Sequence, residues 1–85
     1  MSARDRHARV LLYGRSGCHL CDVAEEVVSL VCSELGERFD EVDIDSSPDL
    51  VSRYGDLVPV VVVDGVQIAH WRIDADDLRS ALGRG

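Results

Sequence analysis

An α/β domain, a four-stranded mixed sheet with three helices in the order β-α-β-α-β-β-α, is the fold class this 85-residue sequence predicts. Three observations predict it. A long segment of three- and four-residue apolar spacing separates two short strand-like runs. A valine-rich run then meets an Asp-Gly turn, and a capped amphipathic segment closes the chain. A β-α-β unit joins parallel strands by a right-handed crossover, while a hairpin adds antiparallel pairing, so the sheet is expected to be mixed.

Residues 1–8 are expected to form a flexible leader, being polar and charged with nothing periodic to anchor them, and residues 9–85 the single domain. Val10, Leu11, Leu12 and Tyr13 are a continuous apolar run closed by Gly14, the pattern of a strand buried on both faces. From His19 to Leu35, Leu20, Val23, Ala24, Val27, Val28, Val31 and Leu35 define one face of an amphipathic helix, with Gly36 placed to cap it. Beyond Phe39, the residues Val42 and Ile44 alternate with Glu41, Asp43 and Asp45, which predicts a strand with one exposed face. Ser47-Pro48-Asp49 reads as an N-cap, a proline at the first helical position and an acidic first turn, opening a short helix that ends before Gly55. Residues 58–63 and 66–71 flank Asp64-Gly65 as two strands of a hairpin, with Trp71 expected to pack under the last helix. Finally, Ile73, Asp74, Asp77 and Leu78 combine a hydrophobic staple with a capping-box-like start, predicting a helix that runs to about Leu82 and ends at Gly83.

Composition narrows the function. A net charge of −7 disfavours nucleic acid and anionic membranes as partners, since both require a positive surface. No apolar h-region precedes the domain and no apolar run is long enough to cross a bilayer. Three cysteines are an odd count for a secreted disulfide scaffold, so a cytoplasmic protein is expected, one in which a disulfide is catalytic rather than structural.

The chemistry concentrates in Cys18-His19-Leu20-Cys21. Such a C-x-x-C pair serves redox enzymes, zinc sites and soft-metal carriers alike. Placing Cys18 at a helix N-terminus exposes its sulfur to unpaired N–H groups and partial positive charge, which favour the thiolate a nucleophile needs. Cys21 lies one turn on, on the same side, and can close a disulfide after a small adjustment of that turn. In this reading Cys18 attacks and Cys21 resolves. A metal site lacks a second paired motif, because Cys32 is eleven residues beyond Cys21, about 16 Å along a helix. Cys32 reads as a core residue, and His7 and His70 as solvated or hydrogen-bonded side chains. The order of elements separates the redox reading from a ferredoxin-like metal carrier, which would end on a strand.

Tyr13-Gly14-Arg15-Ser16-Gly17 running into that motif, followed by Val58-Pro59 and Asp64-Gly65, resembles the glutaredoxin-like branch of the thioredoxin superfamily over nearly the whole domain. The resemblance implies a thioredoxin-like fold and a thiol-disulfide oxidoreductase acting on protein or low-molecular-weight disulfides. Cys18 would be its nucleophile and Cys21 its resolving thiol. It also implies a cis Pro59 facing the cysteines, a Val58 backbone that pairs with a bound thiol, and an Arg15 that contacts a glutathione carboxylate. Between the cysteines this chain has His19-Leu20 where the family usually has Pro-Tyr. The Gly-Gly that helps hold glutathione reads Ala69-His70, with Asp74 the nearest acid. Glutathione, another small thiol, a protein disulfide and a reductase-type electron donor are thus all candidate partners. A resident cofactor or metal is not expected, nor is a partner chain in a stable oligomer. The alternative is a non-catalytic thiol-based metal-binding or interaction domain of the same fold.

Overall fold

The computed structural model describes residues 8–83. Its elements are β1 (Val10–Gly14), α1 (His19–Leu35), β2 (Phe39–Asp43), a 3-10 turn over Ile44–Ser46, α2 (Pro48–Tyr54), β3 (Val60–Val63), β4 (Val66–His70) and α3 (Ala75–Gly83). Of the expected leader, only Ala8 falls within the described residues, and its N–H donates to Asp40 Oδ2 at 3.2 Å. The sheet order is β2-β1-β3-β4, with β1 parallel to β2 and antiparallel to β3, and β3 antiparallel to β4. This is the mixed sheet that the order of elements predicts.

Period-two alternation sorts the central strands between two apolar layers. Val10 and Leu12 of β1 and Val61 and Val63 of β3 face α1 and α3, packing on Ala24, Val28, Val31, Leu78 and Leu82. Their alternates Leu11, Tyr13, Val60 and Val62 face the other way, onto Ile44, Tyr54, Leu50 and Val51 around α2. Both β1 and β3 are therefore covered on both faces, which is why they read as continuous apolar runs. Tyr13 and Tyr54 stack across the second layer with ring centroids 4.6 Å apart.

The helix ends follow their local signals. Gly36 takes a left-handed conformation and its N–H donates to Cys32 O, closing α1. Asp74 Oδ1 accepts the N–H groups of Asp76 (2.7 Å) and Asp77 (3.3 Å), capping α3 as its sequence predicts. Both residues of the β3–β4 turn, Asp64 and Gly65, have positive φ (51° and 84°), which a two-residue hairpin of this kind needs. No helix among the described residues is long and apolar enough to cross a membrane.

Three expectations are corrected. β2 stops at Asp43, and Ile44 is buried by the 3-10 turn instead of by the strand, because Asp43 Oδ1 accepts the Asp45 N–H (2.9 Å) and turns the backbone. Val58 and Pro59 precede β3 and do not belong to it, since β3 begins at Val60. Trp71 does not pack under α3: it lies past the end of β4, is 53% exposed, and donates its indole N–H to Asp56 O at 2.9 Å.

Candidate functional site

β1 delivers the chain to the site. After Gly14, residues 15–17 turn the backbone into α1, with Gly17 at φ +78°, a conformation an L side chain rarely adopts. Cys18 is the N-cap residue of α1, in extended conformation, and its Sγ accepts the N–H of Cys21 at 3.1 Å. A cysteine sulfur thus fills the position in which a serine or aspartate oxygen usually satisfies a first-turn N–H. Cys18 and Cys21 form a disulfide with their Cα atoms 5.2 Å apart. The two differ in access: Cys18 is half-buried, whereas Cys21 is buried and turned towards the sheet.

Gly14 makes room for Cys21. A Cβ built on Gly14 would stand 3.2 Å from Cys21 Sγ and 3.3 Å from Cys21 Cβ, so the close approach of α1 to β1 depends on the missing side chain. In the sequence Gly14 marks only the end of a strand. Nothing local signals the contact, because its partner comes from the next element.

The residues implied by resemblance gather at the same end of the sheet. Tyr13 pairs with Val60, so the exit of β1 and the Val58-Pro59 segment just before β3 are neighbours. The Val58–Pro59 peptide is cis. Pro59 is fully buried, and the Val58 N–H donates to Tyr54 O at 3.1 Å. Trp71 holds this segment from the other side. Its backbone N–H reaches Pro59 O (2.9 Å) and Leu57 O (3.3 Å), and it does so at φ +62°, an uncommon conformation for so large a residue. Its role as a brace was missed, since neither its φ nor its reach to Asp56 leaves a mark in sequence. Arg15 is already engaged in an ion pair, with Nη2 2.6 Å from Asp45 Oδ1. Asp45 continues the strand pattern of β2 in sequence, and the 3-10 turn is what brings it to Arg15.

Two clefts flank the disulfide. One, of about 300 Å³, is lined by His19, Leu20, Val23, Trp71 and Arg72 among others, and borders the pair between the cysteines. The other, of about 340 Å³, opens beside Cys21 and is lined by Gly14, Asp22, Glu41 and Asp43, with Arg15 at its edge. In that second cleft burial, a hydrogen bond shared with Glu25 and the charges of Glu25 and Asp22 together raise the Glu41 pKa above the usual carboxylate value. Cys32 is remote from both cysteines of the pair in sequence and sits in the core, where burial pushes its thiol pKa up, as befits an inert packed thiol. His70 is exposed and lies edge-on to Trp71. Among the described residues no group of three or more His, Cys, Asp and Glu side chains is gathered to hold a metal ion.

The sequence model of the glutaredoxin-like domain (DUF836) matches residues 9–83. An uncharacterised protein of Mycobacterium tuberculosis is 33% identical over 81 residues, covering 89% of this chain and 84% of the relative. Among solved structures, the X-ray structure of the target protein XcR50 from X. campestris superimposes with a TM-score of 0.73 at 36% identity, covering 89% of this chain and 97% of that one. The glutaredoxin of Archaeoglobus fulgidus superimposes with a TM-score of 0.62 at 25% identity, covering 95% and 91% of the two chains.

Proposed function

This chain belongs to the glutaredoxin-like domain family and has a thioredoxin-like fold, and on that premise we propose that it is a thiol-disulfide oxidoreductase reducing protein or low-molecular-weight disulfides through Cys18 and Cys21. The observation that carries this reading is the pairing of an accessible sulfur at the α1 N-terminus with a shielded one a turn later, the two joined as a disulfide. The N–H of Cys21 directed at Cys18 Sγ and the unpaired amides around it stabilise negative charge on that sulfur.

In the reduced protein, the Cys18 thiolate attacks one sulfur of the substrate disulfide and expels the other half as a thiolate, which takes up a proton. The product is a mixed disulfide on Cys18. The Cys21 thiol then loses its proton and attacks Cys18 Sγ, releasing the remaining half as a second thiolate. The Cys18–Cys21 disulfide forms, and two electrons have passed to the substrate. An external thiol or a reductase returns the pair to the dithiol.

The substrate-contacting groups carry prior commitments. A substrate carboxylate that uses Arg15 must compete with Asp45. Val58, its N–H donating to Tyr54 O, has its carbonyl to offer an incoming backbone. The cysteine count and the net charge of −7 support a cytoplasmic protein that works as a monomer with no resident cofactor, and with neither nucleic acid nor a membrane as partner.

Equilibration in redox buffers tests the reading. The Cys18–Cys21 disulfide is expected to interconvert reversibly with the dithiol in buffers spanning the cytosolic glutathione poise, and the reduced protein to reduce a protein disulfide over several turnovers. A pair that neither reduces nor reoxidises, in a protein that instead keeps a metal through purification, would overturn it.

A further inference from the structure

The loop that leads into Cys18 carries one cation, and the fold already supplies that cation with a carboxylate. Arg15 is the single basic side chain lining the cleft beside Cys21, where the other charged residues are Asp22, Glu41 and Asp43. Its Nη2 donates to Asp45 Oδ1 at 2.6 Å and its Nε to Asp45 Oδ2 at 3.4 Å. Asp45 thus occupies the Nε–Nη2 edge, one of the forks with which a guanidinium grips a carboxylate. The turn that presents Asp45 is built from other groups. Ile44 is fully buried, the Asp43 side chain accepts the Asp45 N–H at 2.9 Å, and Ser46 Oγ donates to Asp43 O at 2.6 Å. Among the described residues the Asp45 carboxylate hydrogen-bonds to Arg15 alone, so the turn does not depend on it.

Resting on the exchange chemistry proposed above, we infer that Asp45 is a specificity-determining residue: it withholds Arg15 from substrate carboxylates, and so directs the site towards disulfides that are neutral or positively charged beside the scissile bond. A carboxylate carried near the scissile sulfur would otherwise find in Arg15 the one cation of this cleft. With Asp45 in place it meets a neutralised guanidinium and must displace a partner that the turn holds ready.

The surrounding charge acts in the same direction. The hydrogen bond to Asp45 first, then the charges of Asp45, Asp43 and Asp56, raise the Arg15 pKa above its ordinary value, so three carboxylates act on one guanidinium. An anionic substrate approaching from this side meets net repulsion, and a cationic one attraction. Arg72 stands in the other cleft, with His19, Leu20 and Trp71, and does not offset this charge at Arg15. The Arg15 and Asp45 side chains are 35% and 49% exposed, so solvent moderates the effect and the preference is several-fold in size.

Small disulfides of different charge test the assignment: glutathione disulfide is anionic, bis(2-hydroxyethyl) disulfide neutral and cystamine cationic. The rate at which each oxidises the reduced protein, followed by alkylation and mass spectrometry, is divided by its rate with 2-mercaptoethanol, which cancels intrinsic differences in reactivity. For the wild type the normalised rates should rise from glutathione disulfide through the neutral disulfide to cystamine, and the spread should shrink at high salt. In Asp45→Asn the ratio of the glutathione disulfide rate to the cystamine rate should increase by about three- to tenfold. Adding Arg15→Gln should remove that gain, whereas adding Arg72→Gln should keep it. An Asp45→Asn ratio within about twofold of the wild type, including one in which all three rates fall together, overturns the assignment, as does a gain that survives Arg15→Gln. A reduced wild type that reacts with none of the three fails the oxidoreductase reading itself.

Discussion

Replacing Leu78 by alanine is expected to cost the domain about 2–5 kcal/mol. Leu78 is fully buried and is the N4 residue of α3, the position whose side chain seals that helix onto α1 and the sheet. Its neighbours Val28, Val31 and Val61 are themselves fully buried on a helix and a central strand, and they cannot collapse into the vacated space. A domain of this size has a total stability of about 5–15 kcal/mol, so the loss removes a large share of it. Urea unfolding should show a lower midpoint at an unchanged slope. The exposed Leu30 is the control: its replacement by alanine should shift stability by no more than about 0.5 kcal/mol. A Leu78→Ala midpoint equal to that of Leu30→Ala would contradict the packing described for α3.

Gly14→Ala is the second substitution with a large expected effect, and it joins stability to chemistry. The added methyl would meet Cys21 Sγ and Cβ at 3.2 and 3.3 Å. Neither atom is the free end of a flexible side chain, since Cβ is fixed by the α1 backbone and Sγ by the disulfide. The start of α1 must therefore move away from β1. Overpacking of this kind costs about 1–3 kcal/mol. It should also slow closure of the Cys18–Cys21 disulfide and expose Cys21 to alkylation in the reduced protein. Wild-type stability together with wild-type rates of closure and Cys21 alkylation would show that Gly14 does not set this contact.

Features carried by local signals were legible in the sequence. The bounds of α1, its Gly36 cap, the Asp64-Gly65 turn and the Asp74 cap each depend on residues within one turn of one another, and each lies where its signal stands. The mixed topology followed from the order of elements, because a crossover and a hairpin leave few ways to assemble four strands. The position of Cys18 at a helix start was equally local.

Other features came from contacts across the fold and were hidden. The alternation of acids and apolar residues in β2 identified two faces, and Glu41 and Asp43 are exposed as that pattern predicts. The register of Leu12 with Glu41 and of Gly14 with Asp43, which sets both acids beside the cleft at Cys21, left no mark in the local sequence. Ile44 looked like the next strand residue, yet the Asp43 side chain competes for the Asp45 N–H and ends the strand early. Trp71 carried an ordinary strand expectation. Three hydrogen bonds to the segment around Leu57 and Pro59 hold it outside β4 in a conformation that no local preference favours. The motif thus made the chemistry of the candidate site readable, whereas its walls, Gly14, Glu41, Asp45 and Trp71, became visible only in three dimensions.

Trapping the exchange intermediate tests the assignment of roles to the two cysteines. A Cys21→Ser variant, reduced and then mixed with a disulfide substrate, should accumulate a mixed disulfide that mass spectrometry of its peptides locates on Cys18, with Cys32 unmodified. The corresponding Cys18→Ser variant should accumulate none at a comparable rate. An adduct formed first at Cys32, or a Cys21→Ser protein that forms no adduct with glutathione disulfide, another small disulfide or a protein disulfide, would contradict Cys18 as the attacking thiol.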